Sequence, residues 1–226
     1  MPSKCLLFVA LLGTTIAEAP ATSSTGAQVE HPAHWWAAVP REGAPDWEIL
    51  PQEARPGEVI VSKRHELGLL SNFAATPFEF RGIRYASLEG FWQMMLYPES
   101  PTDPRAAFPG IEWRHTREQV AQMTGFEAKE AGTLAERNME RMGINWVSFG
   151  GRRFPYRPQE PGEHCALIVA ATREKVLQNP DVEKILLATG DLILKPDHRE
   201  EAGARAAWHY CEILMQIRDE LRHKQH

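Results

Sequence analysis

Leu70-Ser71-Asn72-Phe73, followed after a short interval by Ser87-Leu88-Glu89-Gly90-Phe91-Trp92-Gln93, is the stretch that decides how this chain is read. Between the two segments, Phe78-Glu79-Phe80-Arg81-Gly82-Ile83-Arg84-Tyr85 alternates apolar residues on either side of an Arg-Gly turn, the pattern of a β-hairpin with one buried face. Ser87 then reads as a helix N-cap. With that cap, Glu89 falls at the second helical position, where its charge complements the helix dipole, and Gln93 follows one turn later on the same face. Leu88, Phe91, Trp92 and Met95 form the core-facing stripe, and Trp92 is assigned to the core. Gly90 in the first turn costs about 1 kcal/mol against alanine, so another backbone or a ligand is expected to come close there. On local pattern alone, Glu89 is a dipole-compensating surface residue.

Working outward, the chain is mostly helical. Thr116-x-x-Gln119 and Thr124-x-x-Glu127 both have the capping-box form, and the second opens a helix that runs to about Met142 and stops at Gly143. Further helices are predicted near 163–178, over 180–188 with Pro180 in the first turn, and over about 203–222, where Tyr210, Leu214, Ile217 and Leu221 recur at helical spacing. Glu58 to Ser62 and Asp191 to Leu194 read as strands. The expected fold class is therefore α+β and helix-dominated, with a small β-sheet or hairpin packed against several helices.

These elements are similar to the NADAR family, the YbiA-like N-glycosidases. The resemblance rests on Ser71-Asn72-Phe73, on the hairpin ending in Tyr85-x-Ser87-x-Glu89-x-x-x-Gln93, on Ala128-Lys129-Glu130-Ala131-Gly132, and on Asn145-Trp146. It continues through Asn179-Pro180 and Leu186-Leu187-Ala188-Thr189-Gly190 to the final Leu214-Met215-x-x-Arg218 helix, spanning about Val59 to Leu221. Two departures stand out. Gly90 occupies a position where the family commonly has His or Tyr, and an Asp-x-x-Trp-Gly-x-Gly segment is not recognisable after Thr189-Gly190. In its place stands Lys195-Pro196-Asp197-His198-Arg199-Glu200-Glu201.

The resemblance implies hydrolysis of a ribose–nitrogen bond, on a riboflavin-pathway ribosylamino-pyrimidine phosphate or an ADP-ribosylated base. Breaking such a bond builds oxocarbenium character at the sugar, which a nearby carboxylate stabilises while it orients or deprotonates water. Glu89 is assigned that role, with Asp197 as a second catalytic acid and Asp191 as a weaker candidate. Asn72, Phe73, Gln93, Lys129 and Trp146 are the expected substrate-binding residues. The Asn72 amide suits ribose hydroxyls or a base edge, Lys129 suits a phosphate, and Trp146 offers a flat face to the heterocycle. Read without the resemblance, Trp146 is core and Lys129 is solvated. Two alternatives stay open: a non-catalytic ADP-ribose or nucleotide-binding module, and a secreted interaction protein.

At 226 residues, 43% hydrophobic and 24% charged, the chain holds one substantial core. Its net charge of −5 argues against a nucleic-acid coat or an anionic-membrane binder, which need clustered positive charge. Residues 1–21 have the layout of a secretory signal peptide, with Lys4 ahead of the apolar run Cys5 to Leu12, and that run is too short for a stable membrane span. A genuine signal peptide implies a secreted or periplasmic protein; otherwise the chain is cytoplasmic. Residues 22–57 form a proline-rich N-terminal arm, expected to be extended, whose Trp35, Trp36 and Trp47 are expected to pack back on the domain. The NADAR-like domain covers 58–222 and a tail 223–226. Cys165 and Cys211 read as buried thiols on amphipathic helices, with pairing after export as the alternative. His31-x-x-His34 and Asp197-His198 fall short of ligand spacing, so neither metal nor cofactor is expected.

Overall fold

The hairpin-and-helix unit is the centre of the fold. The computed structural model describes residues 30–156, 158, 160–199 and 209–224; the proposed signal peptide lies outside them. Strands β2 (Phe78–Phe80) and β3 (Ile83–Tyr85) pair antiparallel, with Phe78 opposite Tyr85. They follow β1 (Glu58–Val61) in the chain. Arg81 and Gly82 both take positive φ, 53° and 78°, the combination that lets a two-residue turn follow the strand twist. Helix α1 (Leu88–Met94) begins at Ser87, whose Oγ accepts from Gly90 N at 2.9 Å. Every residue of α1 is buried.

Around α1 pack α2 (Arg117–Ala121), α3 (Gly125–Met142) and α4 (Glu163–Gln178). The capping box at Thr116 and Gln119 forms as expected. That at Thr124 does not: its side chain makes no cap bond, and Gly125 N donates instead to Phe73 O at 3.1 Å. Helix α3 ends at Gly143 in the left-handed conformation. A second hairpin, β4 (Trp146–Phe149) and β5 (Arg152–Pro155), turns through Gly150 and Gly151, both at positive φ.

Helix α5 (Pro180–Ala188) leads through Gly190 into β6 (Ile193–Pro196). The strand starts two residues later than expected because Leu192 N bonds back to Thr189 O at 3.0 Å, which holds Asp191 and Leu192 in the turn. β6 pairs in parallel with β1, Val59 opposite Leu194. Helix α6 (Tyr210–Lys224) closes the domain; the earlier part of its expected span lies outside the described residues. Among the described residues the strands form three separate two-stranded sheets, and the fold is helix-dominated α+β.

Within the arm, Ala33–Trp36 and Pro51–Glu53 form short 3-10 turns rather than extended chain. Trp35 is buried and donates Nε1–H to Glu66 at 2.7 Å, and Trp36 donates to Glu58 O at 2.8 Å. No disulfide joins Cys165 to Cys211. Among the described residues no helix is long and apolar enough to cross a membrane, and no group of three or more His, Cys, Asp or Glu side chains has the placement of a metal site.

Candidate active site

The loop Leu70–Phe73 is held at every carbonyl. Leu70 O and Ser71 O accept from Lys175 Nζ at 3.3 and 2.6 Å, Asn72 O accepts from Glu89 N at 2.9 Å, and Phe73 O from Gly125 N. The loop is thereby locked to the N-termini of α1 and α3 and to the last turn of α4. Lys175 is fully buried with only backbone acceptors, and loss of hydration brings its ammonium down to about 7. Asn72, held by its backbone, leaves its side-chain amide without a hydrogen bond among the described residues and lines a cavity.

On the floor of that cavity lies Glu89, only 6% exposed. Its Oε1 accepts from Gln93 Nε2 at 2.7 Å, the one-turn spacing anticipated for the pair. Burial pushes the Glu89 carboxyl above its ordinary range; the Gln93 bond and the charges of Lys129, His198 and Lys63 pull the other way without cancelling it. A carboxyl so displaced can exchange a proton nearer neutrality than a surface glutamate does.

Gly132 makes room for this pair. A Cβ there would fall 1.8 Å from Gln93 Oε1 and 2.2 Å from its Cδ, so any side chain at 132 expels the Gln93 amide. Gly132→Ala is expected to keep the fold, since alanine favours the helix by about 1 kcal/mol, and to impair the site. With the Gln93 bond lost, the Glu89 carboxyl rises further and the acid limb of the pH–rate profile moves to higher pH. An unchanged profile would show that Gln93 does not tune Glu89.

The cavity has a volume of about 590 Å³. The cationic part of its lining is Lys63, Lys129 and Arg199, with His198 beside them. Asp197 does not line it. Its carboxylate is buried behind Lys63, accepting from Nζ at 2.8 and 2.6 Å, with His198 Nδ1 3.3 Å away. Burial opposes its ionisation, but the bonds from His198 and Lys63 outweigh that and hold it below the ordinary carboxylate range. The structure thus makes Asp197 an anion fixed on the Lys63 ammonium, in place of the second acid expected from the sequence. Asp191 is exposed and paired with Arg222 at 2.6 Å.

Aromatic rings line the cavity as well, Phe73 lying under the Lys63 ammonium at 5.2 Å. Phe73 meets Phe126 edge to face, centroids 5.1 Å apart, and Trp92, although buried as expected, shows an edge to the cavity. Trp146 is absent from it. That indole lies between two guanidinium groups, 4.5 Å from Arg105 and 4.2 Å from Arg153, so the stacking role expected of it has no geometric basis. Glu89, Gln93, Asn72, Phe73 and Lys129 are all brought together. Phe126 carries no sequence signal for a site, and Lys63 and His198 signal only as members of the pairs Lys63-Arg64 and Asp197-His198.

No family model matches the chain, and neither does any curated protein. Among solved structures, the NMR structure of the E. coli protein YbiA is similar over 74% of this chain and 86% of its own, with 19% identity and a TM-score of 0.45. At that identity and score the likeness adds nothing to what the site's own geometry says about chemistry.

Proposed function

We propose that the chain is a hydrolase that cleaves the ribose–nitrogen bond of a phosphorylated, nucleotide-like substrate. The observation that carries this reading is Glu89, buried at the floor of a cavity that lysine side chains and aromatic rings also line, with its carboxyl raised above the ordinary range by that burial. The motif resemblance, which supplies ribosylamino-pyrimidine phosphates and ADP-ribosylated bases as candidate substrates, supports the same reading.

In the proposed reaction the C1′–N bond breaks and its electron pair leaves with the nitrogen, while a water oxygen bonds to C1′. Glu89 as carboxylate stabilises the positive charge that builds on the sugar, takes a proton from the attacking water and returns it to the departing nitrogen. Gln93, which also lines the cavity, donates to the carboxylate, the Asn72 amide meets hydroxyls or a base edge, and Lys129 meets phosphate with Lys63 beside it. Asp197 fixes the Lys63 ammonium at the cavity wall by accepting from it on both oxygens.

A second reading, a module that binds such a ligand without cleaving it, is favoured by one observation: Asp197, the expected second acid, is already neutralised by Lys63. The test is incubation of the full chain with ribosylamino-pyrimidine phosphate, ADP-ribosylated guanosine and NAD, following release of the sugar phosphate, beside calorimetric titration of ADP-ribose. Release from any of the three supports the hydrolase. Binding with no release from any of them selects the module.

A further inference from the structure

Three tryptophans occupy the N-terminal arm, and they behave differently. Trp35 is 2% exposed and Trp36 half-buried, both with their indole N–H groups bonded to the domain, whereas Trp47 is 45% exposed and lines the cavity. An arm that only packed would bury its third indole as it buries the first. Nor does Trp47 sit on a slack segment. Glu48 N bonds to Pro45 O at 3.0 Å and closes the turn that presents the indole. The Glu48 carboxylate is held by Arg64 through two bonds of 2.7 and 2.6 Å. Ile49 N donates to Asp197 O at 2.8 Å, and Glu48 forms an antiparallel bridge with His198. The arm is thereby fastened to the segment that carries His198 and Arg199 of the cavity lining.

Opposite Trp47, Phe126 is 64% exposed at the start of α3, ring centroids 6.3 Å apart and planes tilted by 60°. Phe126 in turn rests edge-on against Phe73. Two large rings left partly in water beside a cavity forgo part of their hydrophobic burial, and they recover it when a flat apolar surface covers them.

We propose that Trp47 and Phe126 form a subsite for the planar heterocycle of the ligand, so that the N-terminal arm is part of the binding site and sets its preference for ring-bearing over bare sugar phosphates. This rests on the reading of the cavity as a site for a phosphorylated, nucleotide-like ligand. Trp47 lies outside the stretch that carries the family resemblance, and the subsite takes the place of the stacking face that Trp146 does not provide.

The matched probes are AMP and ribose 5-phosphate, which share a pentose phosphate and differ in the heterocycle. Titrated into the full chain, AMP is expected to bind more tightly than ribose 5-phosphate. Trp47→Ala should weaken AMP by about tenfold, the scale of one lost ring–base stack, and leave ribose 5-phosphate unchanged; Trp47→Phe should restore most of the loss. Phe126→Ala should show the same selectivity. Equal weakening of both probes, no change for AMP, or no AMP binding by the wild-type chain would each overturn the proposal. A Trp47-dependent preference for AMP in a chain that cleaves none of the ribosyl substrates leaves the subsite standing and removes the hydrolase. Cleavage that is indifferent to Trp47 does the reverse.

Discussion

Glu89→Gln is expected to abolish most turnover, by about 10²- to 10⁴-fold, while making the protein more stable near neutral pH. The substitution is isosteric, and Gln93 Nε2 still finds an acceptor where it now meets Glu89 Oε1, so ligand binding should survive. The stability change follows from the direction of the Glu89 shift. Burial raises the folded-state pKa above the unfolded one. Below the ordinary glutamate range both states carry the proton and the group is neutral in both. As pH rises through that range the unfolded chain ionises first and the folded one does not, so folding loses free energy until the raised pKa is passed. The glutamine variant escapes that loss. Thermal melts of the two proteins should therefore converge at low pH and separate as pH rises, with the variant the more stable. A residue whose charge costs stability and whose removal costs turnover is placed for chemistry. Full activity in the glutamine variant would remove Glu89 from the mechanism, and a variant less stable at neutral pH would show that the carboxylate is a structural ion.

What the sequence disclosed of this fold was local. Ser87, the Arg81-Gly82 turn, Pro180 and Gly143 act on their immediate neighbours through a cap bond, a positive φ or a missing N–H, and each marks the boundary observed. The β4–β5 hairpin goes unread in the sequence, where Asn145-Trp146 stands as a motif, although its turn rests on the positive φ of Gly150 and Gly151. The parallel pairing of β1 with β6 joins residues more than 130 positions apart, and nothing in either short apolar run specifies the other. At the site, Glu89 and Gln93 were legible because helical spacing alone puts them together. Asp197 was not, since a carboxylate's partner decides whether it is an acid or a fixed anion, and Lys63 lies far away in the chain. Lys175 shows the same limit. A lysine in an amphipathic helix reads as solvated, and only the fold reveals that its ammonium is buried against the carbonyls of Leu70 and Ser71. Trp146 and Trp47 depart from their expected places because a ring's surroundings depend on which arginines or cavities the fold brings to it: Trp146 meets Arg105 and Arg153, and Trp47 lines the cavity.

Gly90→Ala tests the joint on which the site stands. A Cβ at position 90 would lie 2.6 Å from Met123 O, 2.9 Å from Val120 O and 3.2 Å from Ala121 O, so what approaches this glycine is the C-terminal end of α2 and not a ligand. These are backbone atoms with little freedom to retreat. Ser87 Oγ donates to Met123 O at 2.8 Å while accepting from Gly90 N, and Ala86 N donates to Ala121 O at 3.1 Å. The same cap residue thus starts α1 and clamps it to α2. Alanine would favour an unconstrained helix by about 1 kcal/mol, but forcing a methyl group against three carbonyl oxygens costs about 1–3 kcal/mol or more, and breaking the Ser87 clamp adds the loss of an N-cap, about 1 kcal/mol. The net expectation is destabilisation by about 2 kcal/mol, a fall in melting temperature of about 4–8 °C for a domain of this size. Activity should fall as well in whatever fraction stays folded, because Glu89 is the adjacent residue and its N–H is what holds Asn72 O. A melting temperature raised by the alanine would mean that propensity outweighs contact, and that α1 and α2 are not in van der Waals contact at this position.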